Sequence, residues 1–369
     1  MKQKVEIIAK KSQKKNIAVV DVFCGIGGLT RGMQDVGLNV IAGIDYDKTC
    51  DFAFEQNNKS KFLHRDVTTI KAKEVIKLYP KNSLRILVGC APCQPFSQVP
   101  GEREDKEGKW RLLYSFADLI EKVNPSIVSM ENVPQLMSHK NGVVIKDFIQ
   151  KLEALGYIVS TYKVNAANYG VPQRRYRLIL FASKFGKVDL IPKLFENANV
   201  PTVADAISHL PPVEDGEIHP NDRLHRARKL SPANKQRIMA TSEGGNWTEW
   251  PAHLLEGLTC RDTNMGKTFT SAYGRMSWNK PAPTLTTHCT GLSNGSYGHP
   301  MQNRAISLRE AALLQSFPEN YKFNNEEQEL SVSILARHIG NAVPPKLGES
   351  IGKSILNHLT QYNFDGRKA

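Results

Sequence analysis

Ile17-Ala18-Val19-Val20-Asp21-Val22-Phe23-Cys24-Gly25-Ile26-Gly27-Gly28-Leu29-Thr30 is the stretch on which the reading of the fold turns. Its first half is β-branched and almost wholly apolar, as in a strand covered on both faces, and such strands belong to parallel sheets. Its second half is a glycine-rich turn, followed by a helix that runs to about Val36. A turn of this kind lets a ligand approach the backbone closely. The pattern is Phe-x-Gly-x-Gly-Gly, and a dinucleotide fingerprint would carry a third glycine where Thr30 stands. That departure, with no dehydrogenase constellation elsewhere, disfavours a nicotinamide enzyme.

Working outward, the next strand covers residues 39–44 and ends at Asp45. An acidic side chain about 20 residues after such a turn can accept from ribose hydroxyls. Tyr46 beside it can cover a flat ring. A third strand near 61–65 ends at Asp66. Singly, each aspartate serves equally as a helix N-cap or turn residue; together, at successive strand ends, they suit a nucleoside.

A buried strand at 85–88 leads into Val88-Gly89-Cys90-Ala91-Pro92-Cys93-Gln94-Pro95-Phe96-Ser97. Two prolines stiffen the backbone around Cys93, since each fixes its own φ and restricts the residue before it. That suits a sulfur nucleophile, whereas a cysteine taken alone reads as a buried inert thiol. Cys90 is read as that buried thiol. The polar segment 99–109 reads as a lid beside Cys93 or as a solvated surface loop. A helix over 110–123 precedes a strand at 126–130, which ends in Glu131-Asn132-Val133-Pro134. Strand, helix and strand at this spacing make a right-handed parallel crossover. Cys93 and Glu131 then share the carboxyl edge of the sheet with the glycine turn, Asp45 and Asp66, where open α/β sheets bind ligands.

A helix at 143–155 and a strand at 157–164 lead to Val171-Pro172-Gln173-Arg174-Arg175-Tyr176-Arg177, and a strand at 178–182 closes the domain. Arg175 and Arg177 alternate along an extended segment. They read as an ordinary basic strand end or as guanidinium forks for an anion or a base edge. From about Ser183 to His299 the βα alternation is lost, and Trp247, Trp250, Phe269, Tyr273, Trp278 and Tyr297 interleave with basic and polar residues. This suits nucleic-acid contact or a small irregular domain with its own core. Ser307 and Glu310 predict a capping box for a helix whose apolar side includes Ala311, Leu314 and Phe317.

The chain has 369 residues, enough for two domains. Six scattered cysteines are no disulfide framework, and the ten dispersed histidines with a lone Cys90-x-x-Cys93 give no metal pattern. No apolar run is long enough to span a membrane, and the N-terminus does not read as a secretory signal. The net charge of +13 favours a polyanionic partner. Part of it sits in a basic N-terminal arm, residues 1–16, which carries Lys2, Lys4, Lys10, Lys11, Lys14 and Lys15.

Taken in order, DVFCGIGG, Asp45, Asp66, GCAPCQPFSQ, ENVP, VPQRRYR, RAISLREAALLQSFP and GNAVPP resemble the DNA (cytosine-5) methyltransferase family of the bacterial restriction-modification type. They span residues 21 to 345, nearly the whole chain. Asp45 departs mildly from the family, where many members carry Glu. The resemblance implies an α/β fold: a Rossmann-like, S-adenosylmethionine-dependent methyltransferase sheet with a second, smaller and irregular target-recognition domain. The catalytic domain would be 17–184 plus 328–369, and the recognition domain 185–327. S-adenosylmethionine would be the methyl donor, without a metal. Phe23 and Tyr46 would flank its adenine, Asp45 would hold the ribose, and Asp66 would accept from the adenine amino group. Gly25, Gly27 and Asn341 would line the methionine end, with Leu112 as an apolar contact. Cys93 would add to C6 of a flipped-out cytosine. Glu131 would bond N3 and the exocyclic amine, Arg177 the O2 edge, and Arg175 a phosphate or the thiolate. Double-stranded DNA would be the partner of a monomeric cytoplasmic protein paired with a restriction endonuclease. Two other readings stay open: a tRNA cytosine methyltransferase of the same superfamily, against which the long variable stretch argues, and a DNA-binding regulator without catalysis.

Overall fold

The computed structural model describes residues 17–91, 108–196, 199–258, 270–325 and 330–362. Contacts among them define two compact units. The first holds the described parts of Met1–Asn165, Tyr176–Lys193 and Val343–Ala369; the second holds those of Ala166–Arg175 and Leu194–Ala342. No helix among the described residues is long and apolar enough to cross a membrane.

In the first unit strands and helices alternate. They are β1 (Ile17–Val22), α1 (Gly28–Asp35), β2 (Val40–Asp45), α2 (Asp51–Asn57), β3 (Lys61–His64), α3 (Ala72–Leu78), β4 (Leu84–Gly89), α4 (Gly108–Val123), β5 (Ile127–Asn132), α5 (Val143–Ala154), β6 (Ile158–Asn165), β7 (Tyr176–Ser183) and α6 (Pro345–Thr360). The strands form one seven-stranded sheet in the order β3-β2-β1-β4-β5-β7-β6. β1 pairs in parallel with β2 and β4, β2 with β3, and β4 with β5. β7 runs antiparallel to both β5 and β6. Parallel neighbours need long crossovers, which α1 to α4 help to supply.

All six residues of β1, an almost wholly apolar run, are buried; all six of β5 are buried too, although Ser129, Glu131 and Asn132 are polar. The core around them includes Val20, Leu87, Phe116, Ile120, Val128 and Phe148. Each such side chain stabilises the fold by roughly 1.5–3 kcal/mol relative to exposure. The registers align the strand exits. Val22 lies opposite Ile44 and Gly89, Asp45 opposite His64, and Gly89 opposite Met130. Strand order reverses between β2-β1 and β4, the switch point at which such sheets bind ligands. β5 runs on through Asn132, so Glu131 lies inside the strand rather than after it. Because β7 is antiparallel, its beginning meets the same edge: Asn132 pairs with Leu178, one residue beyond Arg177.

The second unit has one two-stranded ribbon, Ile218–His219 with Asp222–Arg226, and short helices such as Pro232–Met239, Leu308–Leu314 and Val332–Asn341. With so little sheet, many loop carbonyls need other partners. Buried arginines supply them. Arg275 donates to the carbonyls of Thr241, Ile238, His299 and Gln302. Arg304 donates to Val213 O and forms a fork with Glu310 at 2.7 and 2.8 Å. The capping box at Ser307 forms as read, and Ala311, Leu314 and Phe317 are buried. Trp250 and Tyr297 are also buried, so these two aromatics of the variable stretch serve its core and not a surface. Phe269 lies outside the described residues.

The division differs from the one drawn on sequence. Residues 166–175 and the helix Val332–Asn341 fall in the second unit, and 185–193 in the first. Side chains distant in sequence make the difference: Gln173 Nε2 donates to Gln315 Oε1 at 2.6 Å, Gln315 Nε2 to Ile339 O, and Ser354 Oγ accepts from Ile191 N.

Candidate active site

The glycine turn leaves β1 in left-handed backbone. Phe23 has φ 59°, Gly25 51° and Gly27 85°. A left-handed conformation costs a side-chain-bearing residue like Phe23 roughly 1–2 kcal/mol, and such strain collects at functional sites. Phe23 is held there by its N–H to Ile44 O at 2.8 Å and by an edge contact with Phe116. A β-carbon built on Gly25 meets nothing within 4 Å, so the backbone faces open space at that point. Gly27 caps α1 without a side-chain acceptor.

Asp45 closes the turn from β2. Its Oδ2 accepts from Gly25 N and its Oδ1 from Asp47 N, both at 2.8 Å. Burial pushes its carboxyl above the usual range, against the pull of those amides. Tyr46 is 73% exposed, with its carbonyl 2.8 Å from His64 Nε2. Asp66 accepts from Thr68 N at 2.8 Å through Oδ1, the turn role that any aspartate at a strand exit can take. Leu112 lies on α4, half-buried.

Asp21, in the middle of the opening stretch, is 1% exposed, and its Oδ2 accepts from Thr30 Oγ at 2.7 Å. Thr30 therefore ties the start of α1 to β1, where a dinucleotide fingerprint would have glycine. Burial, reinforced by the nearby Asp45 charge, pushes the Asp21 carboxyl up to about 7.

At the other end of the edge Glu131 is 3% exposed. Arg177, entering from β7, sets its Nε 2.7 Å from Glu131 Oε1. The contact is a close charge pair without hydrogen-bond alignment, so Oε1 is buried and has no hydrogen-bond partner among the described residues. Cys90, the first residue after β4, donates its thiol to Glu131 Oε2 at 2.7 Å. The sequence reading made Cys90 a buried thiol; it is half-buried and bonded to the carboxyl. Only its place, one residue past a strand paired with β5, could have pointed to it.

Arg175 and Arg177 have different partners. Arg175 is buried, and its guanidinium donates to Leu285 O, Gly340 O, Ala342 O and Gln173 Oε1, all within the second unit. Asn341 is the exposed last residue of Val332–Asn341, also in that unit. Cys93 and residues 99–107 of the lid segment lie outside the described residues.

This strand order, with a glycine turn after β1 and acidic residues at the end of β2 and after β3, is the fold class of S-adenosylmethionine-dependent methyltransferases. The sequence matches the C-5 cytosine-specific DNA methylase family over residues 17–357, and the chain belongs to that family. It is a DNA cytosine-5 methyltransferase. The Type II methylase M.HgiDII of Herpetosiphon aurantiacus is 47% identical, over 93% of this chain and 96% of its own. The Type II methyltransferase M.Sau96I of Staphylococcus aureus is 28% identical, over 95% and 78%. Among solved structures, an E. coli prophage-encoded DNA modification methyltransferase superposes with a TM-score of 0.70 at 22% identity, covering 93% of this chain and 99% of that one.

Proposed function

We propose that the enzyme methylates C5 of a cytosine flipped out of a short specific sequence in double-stranded DNA, through a bond between the Cys93 sulfur and C6. The observation that carries this reading is the Glu131–Arg177 pair, a buried carboxyl and a guanidinium held at 2.7 Å beside the strand that leads to Cys93. C5 of cytosine is a poor nucleophile, and addition of sulfur at C6 makes it an enamine carbon. Glu131 hydrogen-bonds N3 and the exocyclic amine, stabilising the charge that develops as sulfur adds. Arg177 holds the O2 edge. The donor supplies an electrophilic methyl on a sulfonium. Loss of the C5 proton and expulsion of the Cys93 sulfur then release 5-methylcytosine. Arg175 contributes as the anchor of the segment that leads into Arg177.

The first unit's residues fit the donor. The open space at Gly25 admits its chain, with Leu112 as an apolar contact, the α1 N-terminus at Gly27 suits its carboxylate, Asp45 takes its ribose, Phe23 and Tyr46 flank its adenine, and Asp66 accepts from the adenine amino group. Flipping the base costs a few kcal/mol, which pocket contacts repay. The Type II naming of the relatives supports a place in a restriction-modification system.

Bisulfite sequencing of unmethylated phage DNA, treated with the protein and S-adenosylmethionine, tests the reaction. Protected cytosines confined to one short motif are expected. Full conversion of every cytosine, with donor binding intact, rejects the DNA substrate.

A further inference from the structure

We infer that Cys90 is a positioning residue for Glu131: its thiol fixes the rotation of the carboxyl group so that Oε1 faces the incoming base. The inference rests on the proposed role of Glu131. A glutamate carboxyl turns easily about its last bond. Here Oε2 accepts from Cys90 Sγ at 2.7 Å, and Oε1 stands 2.7 Å from Arg177 Nε without a hydrogen bond. The two contacts are unlike, so the two oxygens are not interchangeable. One is tied by a directed bond; the other is buried, charge-paired and still able to bond.

Among the described residues, the titratable groups facing this carboxyl are Arg177 from β7 and Cys90 from the end of β4. Cys90 is well placed to act on Glu131. Its amide donates to Val22 O, which holds the residue against β1, and Gly89 before it pairs with Met130, directly before Glu131. Backbone on both sides of the Cys90–Glu131 contact is therefore fixed by the sheet. The same bond separates Cys90 from the chemistry assigned to Cys93. A sulfur whose proton is donated to a carboxyl is held as thiol, and the thiol does not attack carbon.

The test is a double-mutant cycle read as the single-turnover rate of methyl transfer, with donor and DNA affinity measured alongside. Cys90→Ala removes the donor and should slow transfer about tenfold, the size of one charged hydrogen bond, with both affinities unchanged. Cys90→Ser keeps a donor within hydrogen-bonding reach and should restore the rate to within about twofold. In a Glu131→Gln background Cys90→Ala should add nothing, since coupled residues are not additive. A Cys90→Ala rate equal to wild type, a Cys90→Ser rate as slow as that of Cys90→Ala, or full additivity overturns the inference. Cys90→Gly carries the same test if Cys90→Ala does not fold. A Glu131→Gln enzyme that transfers at the wild-type rate would instead remove Glu131 from the reading on which this one rests.

Discussion

Arg177 Nε stands 2.7 Å from Glu131 Oε1 across the β5–β7 pair, and the two side chains are 12% and 3% exposed. A carboxyl so deep in the sheet edge depends on its cation. Removing one partner of a buried pair costs roughly 3–5 kcal/mol, while replacing both by neutral groups of similar size is far milder. Arg177→Met should therefore lower unfolding free energy by roughly that amount, and Glu131→Gln added to Arg177→Met should recover most of it. Both variants should be inactive. Urea unfolding beside a methyl-transfer assay checks this; equal stability of the two variants contradicts it.

Gly25 and Gly27 should separate cofactor binding from folding. A β-carbon on Gly25 meets nothing within 4 Å, whereas one on Gly27 collides with Asn58 Nδ2 and lies 2.9 Å from the Phe54 ring. Gly25→Ala should stay folded, at a backbone cost of roughly 1–2 kcal/mol, while occupying the space proposed for the donor. We expect its S-adenosylmethionine affinity by calorimetry to fall at least about tenfold. Gly27→Ala should lose more stability than Gly25→Ala. Unchanged donor affinity in Gly25→Ala would show that the open space is not the donor's.

His299 makes the second unit sensitive to acid. It is 2% exposed, and its Nδ1 accepts from Met301 N and Gln302 N. Burial, with Arg304 and Arg275 nearby and only Glu310 opposing, pulls its pKa down to about 4. In the unfolded chain the ring titrates near 6.5. Between those values the unfolded state takes up a proton that the folded state refuses, so stability falls as pH drops through that window. The loss is at most roughly 3 kcal/mol. His299→Asn, which keeps an acceptor near the Nδ1 position, should flatten the fall of unfolding free energy between pH 6.5 and 4. An unchanged slope contradicts the assignment.

Sequence period and turn chemistry carried most of the first unit. The apolar run at β1, the glycine turn and the strand-exit aspartates were legible because their cause is local. The Ser307–Glu310 box was legible for the same reason. Partners set by packing were not. Arg175 and Arg177 alternate in sequence, but one binds loop carbonyls of the second unit and the other Glu131. The Cys90 thiol reaches a carboxyl 41 residues away. Whether Trp250 and Tyr297 served nucleic-acid contact or a core stayed open in the sequence, because an irregular domain has no period to mark its inside; both are buried.

The most direct measurement is a trap for the Cys93 adduct. Duplex phage DNA made with 5-fluorocytosine in place of cytosine lacks the C5 proton whose loss frees the enzyme. Incubated with S-adenosylmethionine, it should give a protein–DNA adduct that survives denaturation, and peptide mapping should locate the bond at Cys93. Absence of an adduct, with DNA and donor both bound, or a bond at Cys90 instead, would contradict the account.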